Sequence, residues 1–295
     1  MRNSFFIPVP ESFSFSHCLH FLTRSPREVL HACDGREVVK LIRGERQNIL
    51  FRVSEGKEKG LRVEVLNATL TPRVAAAVES YVRDWFDLDT DIGPFYALAS
   101  RDRHLKELVK AFYGYRIVGH PDLFESLIWA VIGQQINLGF AYTLKQRFVE
   151  QFGERQQVNG SMYHLFPDPV VVAELSPEAL LPLQFSRQKS NYTVGIAQAF
   201  ASGVLSKEKL KTMPLQEARD ALMKIKGIGN WTANYALMKT FHFPNAFPLE
   251  DAGLHNALKR VLKLDRKPTL AEVAGVFKKY KGWEAYATLY LWKTL

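Results

Sequence analysis

The chain has 295 residues, 47% hydrophobic and 23% charged, with a formal net charge of +9 and a pI near 9.4. That balance excludes wholesale disorder, allows one large or two modest domains, and favours a polyanionic partner. Two cysteines, Cys18 and Cys33, cannot build an all-cysteine zinc or iron–sulfur centre; they read as free thiols, with a single disulfide as the alternative, and no segment reads as a signal peptide or membrane span.

In chain order, the first hundred residues read as α+β. Glu37–Arg43 and Asn48–Val53 are apolar-rich runs joined by Gly44-Glu45-Arg46-Gln47, a hairpin pattern. Ser54–Gly60 reads as a loop, and Leu61–Val65 alternates apolar and charged residues as a half-buried strand does. Thr71 and Pro72 then suit an N-cap and first helical position, with Val74, Ala77, Val78, Tyr81, Val82 and Trp85 on one helical face. The expectation for residues 1–95 is a small antiparallel sheet with packed helices.

From Pro94 the pattern turns helical, and residues 96–295 are expected to be all-α. Asp122 and Glu125 stand as N-cap and N3 of a helix carrying Leu123, Leu127, Ile128, Val131 and Ile132. Ser176-Pro177 opens another, and Pro214 opens the one bearing Leu215, Ala218, Leu222 and Ile225. Thr269 and Glu272 make a capping box, and the apolar, aromatic stretch Tyr286–Leu295 predicts a packed end.

Leu222–Asp251 carries the chemistry. Lys226-Gly227-Ile228-Gly229-Asn230 is a glycine turn between two helical segments; glycine tolerates positive φ and lets another backbone approach. The following helix turns free N–H groups and its positive dipole end outward, an anion site suited to phosphate, with Lys224, Lys226 and Lys239 adding charge. A plain αα-corner is the bland alternative; the basic and aromatic context favours DNA. Trp231 and Tyr235 follow at helical spacing. Asp251, after a Pro-bounded loop, either caps the Ala252–Val261 helix or acts chemically, and the two roles are compatible. The eight histidines show no zinc-ligand pattern, so no metal site is expected, and His242 and His255 read as surface or packing residues.

GIGNWTANYALM, from Gly227, followed by FPLEDAGL, from Phe247, resembles the helix-hairpin-helix DNA glycosylase superfamily. With DLFESLIWAVIGQQINLGFAYTLKQRF (Asp122–Phe148), FPDPVVVAEL (Phe166–Leu175) and QFSRQKSNY after it, the chain is similar to the alkylation-repair branch, DNA-3-methyladenine glycosylase II. These motifs span most of Pro121–Leu295 in the family order. The resemblance implies an N-terminal α+β domain like half of a TATA-binding protein. A helix-hairpin-helix glycosylase domain of two subdomains then follows, with the hairpin at 215–241 and the catalytic loop at 242–252. It implies hydrolytic excision of flipped-out alkylated purines, of the 3-methyladenine and 7-methylguanine type, from damaged double-stranded DNA in base excision repair. A cytoplasmic monomer, nucleoid-associated when bound to DNA and requiring no cofactor, is expected. A monovalent cation on the hairpin carbonyls is implied by the resemblance alone.

The same resemblance distributes roles. Asp251 aligns with the family's catalytic acid, with Glu250 as its adjacent rival. A carboxylate beneath the sugar stabilises oxocarbenium charge and positions water; at ~4 Å and an effective dielectric near 20 the attraction is about 4 kcal/mol, roughly a thousandfold in rate. Trp231 stands where bifunctional relatives carry a Schiff-base lysine, which implies a monofunctional hydrolase. Trp231, Tyr235 and Trp292 would form the base pocket, with Phe13 or Phe15 as loose matches and core packing as the alternative for each. Lys226, Gly227, Gly229, Asn230 and Thr232 would meet DNA from the hairpin. Gln134 and Gln135 would do so from the loop that plugs the gap left by the flipped nucleotide, Gln135 at the wedge position. Ala252 replaces a tyrosine found in some members, implying a more open pocket. Two other functions fit this outline: a glycosylase for oxidised or deaminated bases, and a non-catalytic helix-hairpin-helix protein that senses lesions.

Overall fold

The computed structural model describes residues 3–295, so the first two positions of the expected 1–95 domain lie outside it. Five strands, β1 (Ser4–Pro8), β2 (His31–Cys33), β3 (Glu37–Ile42), β4 (Ile49–Glu55) and β5 (Gly60–Val65), form one antiparallel sheet ordered β1-β5-β4-β3-β2. The β3–β4 and β4–β5 hairpins fall where turn chemistry and alternation place them. The outer strands β1 and β2 and the Phe15–Leu22 helix are additions that the sequence did not announce.

Register explains the two faces. Val53 pairs with Val38 and Val63, which puts all three on the inner face, fully buried. On the other face Arg52 lies between Glu37 at 2.9 Å and Glu64 at 3.3 Å, a solvated charge ladder. The Pro72–Trp85 helix, capped by Thr71, covers the inner face with Val78, Val82 and Trp85; Ala77, expected on that stripe, is exposed.

The remainder is helical with one exception. β6 (Arg155–Val158) and β7 (Ser161–His164) form a hairpin through Asn159-Gly160, both at positive φ. The expected all-α half therefore carries a two-stranded ribbon. An Asn-Gly pair is the strongest short-range signal for such a turn, but the strands beside it are mostly polar and give no apolar alternation. Leu165, just beyond the ribbon, packs with Val39, Leu41 and Leu50 of the sheet.

A buried ion pair joins the halves: Lys145 Nζ lies 2.8 Å from Glu28 and 3.7 Å from Glu125, all three side chains under a tenth exposed. Cys18 is buried and Cys33 half-buried, both free. Burial pushes the Cys18 thiol up to about 12. Among the described residues no helix is long and apolar enough to cross a membrane.

Candidate active site

The hairpin is built from the Leu215–Met223 helix, the glycine turn and the Asn230–Phe241 helix. Only Gly227 needs its glycine conformationally, at φ +97; a Cβ there would also meet the Tyr192 ring at 2.4 Å. Gly229 lies at φ −87, ψ 179, and a Cβ there would meet nothing within 4 Å. Positive φ is thus used at one of the two hairpin glycines. No side chain caps the Asn230 helix, so its first N–H groups stay available to an anion.

Of the expected DNA contacts, Lys226 and Gly229 are exposed, as is Lys224. Thr232 is buried and accepts the Gln134 amide at 3.1 Å. Asn230 donates to Glu250 at 2.9 Å and accepts from Asn234. The side chains of Gln134, Asn230 and Thr232 are therefore engaged in hydrogen bonds within the chain, and Thr232, buried, can meet DNA only through its backbone. Lys239 is also corrected. It is fully buried and donates to the Val118 carbonyl, and burial drives its amine well below the usual lysine range, so it is not available to a phosphate at the turn. Gln135 is exposed and stands at φ +58, a left-handed backbone for a non-glycine residue.

Asn234, one turn into the second helix, accepts the Phe247 N–H at 3.0 Å and so ties down the loop that follows that helix. That loop ends on Asp251, whose Oδ1 caps the next helix through Leu254 N–H at 2.6 Å. The capping and chemical roles are compatible because the carboxylate has capacity left. Trp292 Nε1 donates to Oδ1 at 2.8 Å and Trp231 Nε1 to Oδ2 at 3.2 Å. Three N–H donors thus orient one half-buried carboxylate. Glu250, the rival, is exposed and held by Asn230.

Tyr235 stacks on Trp231, ring centroids 5.4 Å apart at 27°. Its hydroxyl accepts from Trp129 Nε1 at 3.1 Å, and burial pushes the phenol up to about 12. Tyr235 therefore backs Trp231 and is itself largely covered. Phe15 is in the core, edge-on to Phe86 at 5.5 Å, while Phe13 is half-buried beside both. Burial removes Phe15 from the pocket. His255 faces the Leu249 and Pro268 carbonyls and His242 the Asp84 carbonyl, packing roles in both cases.

Two residues that the sequence did not single out complete the site. Gly253 lies so close that a Cβ would come within 3.0 Å of Asp251 Oδ1 and 3.2 Å of Trp292 Nε1. Trp129 fixes Tyr235. A glycine in the first turn after the acid was the available signal for the former; nothing in the apolar run LIWAV marked the latter. The helix carrying Trp292 is anchored from below by Tyr286, which donates to buried Asp87, and Arg116 holds Asp87 and Thr90 by their carbonyls at 2.7 and 2.6 Å.

Residues 128–281 match the model of the HhH-GPD superfamily base excision DNA repair proteins, which covers the hairpin and Asp251 together. The chain belongs to that family. Residues 27–127 match the N-terminal domain of 8-oxoguanine DNA glycosylase. A DNA-3-methyladenine glycosylase of Bacillus subtilis is 42% identical over 98% of this chain and 96% of its own length. A solved 3-methyladenine DNA glycosylase from Archaeoglobus fulgidus superposes with a TM-score of 0.85 at 22% identity, covering 98% of this chain and 97% of the other. A Schizosaccharomyces pombe 3-methyladenine DNA glycosylase solved with abasic DNA is 27% identical, with a TM-score of 0.57, over 67% of this chain and 93% of that one. For this branch of the family the fold class is as the motifs implied: a small antiparallel sheet with helices, then the helical glycosylase domain.

Proposed function

We propose that this chain is a monofunctional DNA glycosylase that excises alkylated purines, of the 3-methyladenine and 7-methylguanine type, from duplex DNA in base excision repair. The observation that carries it is Asp251, oriented by two indole N–H groups beside a stacked aromatic pair, with no amine at the Trp231 position. The 42% identical glycosylase supports the enzyme class and the alkylated substrate. The relative solved on abasic DNA supports DNA as the partner.

Water adds its hydroxyl to C1′ as the N-glycosidic bond breaks, and the bonding pair leaves with the base. A purine methylated at N3 or N7 is cationic, so it departs neutral without a proton donor, and the water proton passes to solvent past Asp251. The carboxylate stabilises the charge building on the sugar. The Trp231 face attracts the cationic base. The hairpin holds phosphate through backbone N–H groups and Lys226, and Gln135 fills the vacated stack.

The protein acts as a monomer in the cell interior, divided near residue 95 into sheet and helical parts. Hairpin carbonyls such as Ile225, which accepts Ile228 N–H at 3.1 Å, keep a second lone pair compatible with a monovalent cation, and no chemical step runs through it. Release of bases from defined duplexes tests the reading. Methylated purines should leave well ahead of 8-oxoguanine; the reverse order would replace it with an oxidised-base glycosylase, the reading that the N-terminal match brings to mind. No borohydride-trapped enzyme–DNA adduct should form, because such an adduct needs an amine nucleophile.

A further inference from the structure

Gln134 ends the Leu123–Gly133 helix and directly precedes left-handed Gln135. Its Nε2 donates to the Gly227 carbonyl at 3.3 Å and to the Thr232 hydroxyl at 3.1 Å. Both acceptors belong to the phosphate-facing hairpin, one in its left-handed turn and one buried in the first turn of its second helix. Gly227 is packed from another quarter by Tyr192 of the Arg187–Ala201 helix. Lys189 of that same helix donates to the Ile132 carbonyl at the end of the helix that Gln134 closes. The hairpin and the loop bearing Gln135 are therefore bound to each other and to a common support.

We propose that Gln134 is a positioning residue that couples the hairpin to the wedge loop, so that the phosphate gripped by the Gly227–Asn230 turn fixes how deeply Gln135 enters the duplex. This rests on the hairpin as phosphate grip and Gln135 as plug. A non-glycine residue in the left-handed region is strained and persists only where its surroundings hold it. Two bonds from the preceding side chain supply that hold at the junction with the loop. Without them Gln135 has several loop conformers open to it, and an inserted side chain must meet the base stack at one depth. The Gln134 amide thus serves DNA only through its neighbour.

Gln134→Leu keeps side-chain bulk and removes both donors. Its partner measurements are single-turnover base release, binding to undamaged duplex, and the fluorescence of 2-aminopurine placed opposite the lesion, each repeated in Gln135→Ala and in the double variant. Undamaged duplex should bind within about twofold of wild type, while release and the unstacking signal fall about tenfold, near 1.4 kcal/mol. The double variant should be no worse than Gln135→Ala alone, the mark of two residues acting as one. Additive losses overturn the coupling. So does a loss of undamaged-duplex binding as large as the loss of release, which would signal a hairpin defect. If Gln135→Ala alone leaves the fluorescence and release unchanged, the plug itself is misassigned and the coupling falls with it. Gln134→Met, similar in length and uncharged but without the amide donors, repeats the test should the leucine variant fold poorly.

Discussion

Trp292 reaches back 41 positions to place its indole N–H 2.8 Å from Asp251 Oδ1. The acid is thereby oriented by the last helix of the chain as well as by its own. Trp292→Phe removes one charge-assisted bond, worth about 1.5–3 kcal/mol, and keeps most of the packing. Single-turnover release should fall by roughly ten- to a hundredfold with duplex binding retained. An unchanged rate would show that Trp231 and Leu254 alone hold the carboxylate.

Asp251→Asn should cost at least about a hundredfold in base release. Asparagine remains a good N-cap, so the Ala252–Val261 helix should persist and lesion DNA should still bind. Release at near wild-type rate would sink the assignment; Glu250, turned outward onto Asn230, offers no replacement.

Gly253→Ala separates stability from activity. In a helix, alanine is favoured over glycine by about 1 kcal/mol, so thermal stability should hold or rise. The new methyl crowds the point where Trp292 meets Asp251, so release should slow. A variant both as stable and as fast as wild type would mean that the indole gives way freely.

The two hairpin glycines should behave differently. Gly227→Ala meets Tyr192 and a left-handed backbone, and should lower the melting temperature. Gly229→Asp has room and no such strain; it should fold normally and weaken binding to damaged and undamaged DNA alike by placing negative charge where phosphate sits. Equal DNA binding by folded Gly229→Asp and wild type would refute the grip.

Acid should destabilise the junction of the two halves. Burial pushes the His31 ring down to about 4, so the unfolded chain takes up its proton first and stability is lost as pH falls from about 6.5 through 4. Burial alone would raise the Glu28 carboxyl, but the Lys145 charge outweighs it and holds the group at about 2; its contribution is present above the unfolded value and lost as pH falls toward 2. Lys145→Met strands two buried carboxylates, Glu28 and Glu125, and should cost about 3–5 kcal/mol near neutrality. Urea melts should show that penalty shrinking as pH falls, because in the variant burial raises the Glu28 carboxyl and it takes up its proton first, while the wild-type group stays ionised down to about 2; a gap independent of pH would contradict the pairing.

Features whose cause is local were legible in the sequence. Thr71-Pro72, Asp122 and the Thr269–Glu272 box are caps, and each forms as written because a cap is settled within four residues. Gly227, Trp231 and Asp251 came from a short motif with its own chemistry. What stayed hidden depends on partners far along the chain. β1 is a strand because β5 offers it an edge, and Lys239 is buried because Val118 lies over it. The resemblance alone makes Gln134 a DNA contact; only the fold brings Gly227 and Thr232 to its amide.

The substrates of such an enzyme are made by electrophiles, and the enzyme meets the same reagents. The thiolate, not the thiol, is what they attack. Cys18 is sealed from solvent with its thiol pushed up to about 12, and burial moves Cys33 in the same direction. Burial thus keeps the Cys18 thiol out of reach of such reagents, while Cys33 is only half-covered. Ellman's reagent should find Cys18 silent in the native protein and reactive after denaturation; ready native labelling at Cys18 would remove this protection.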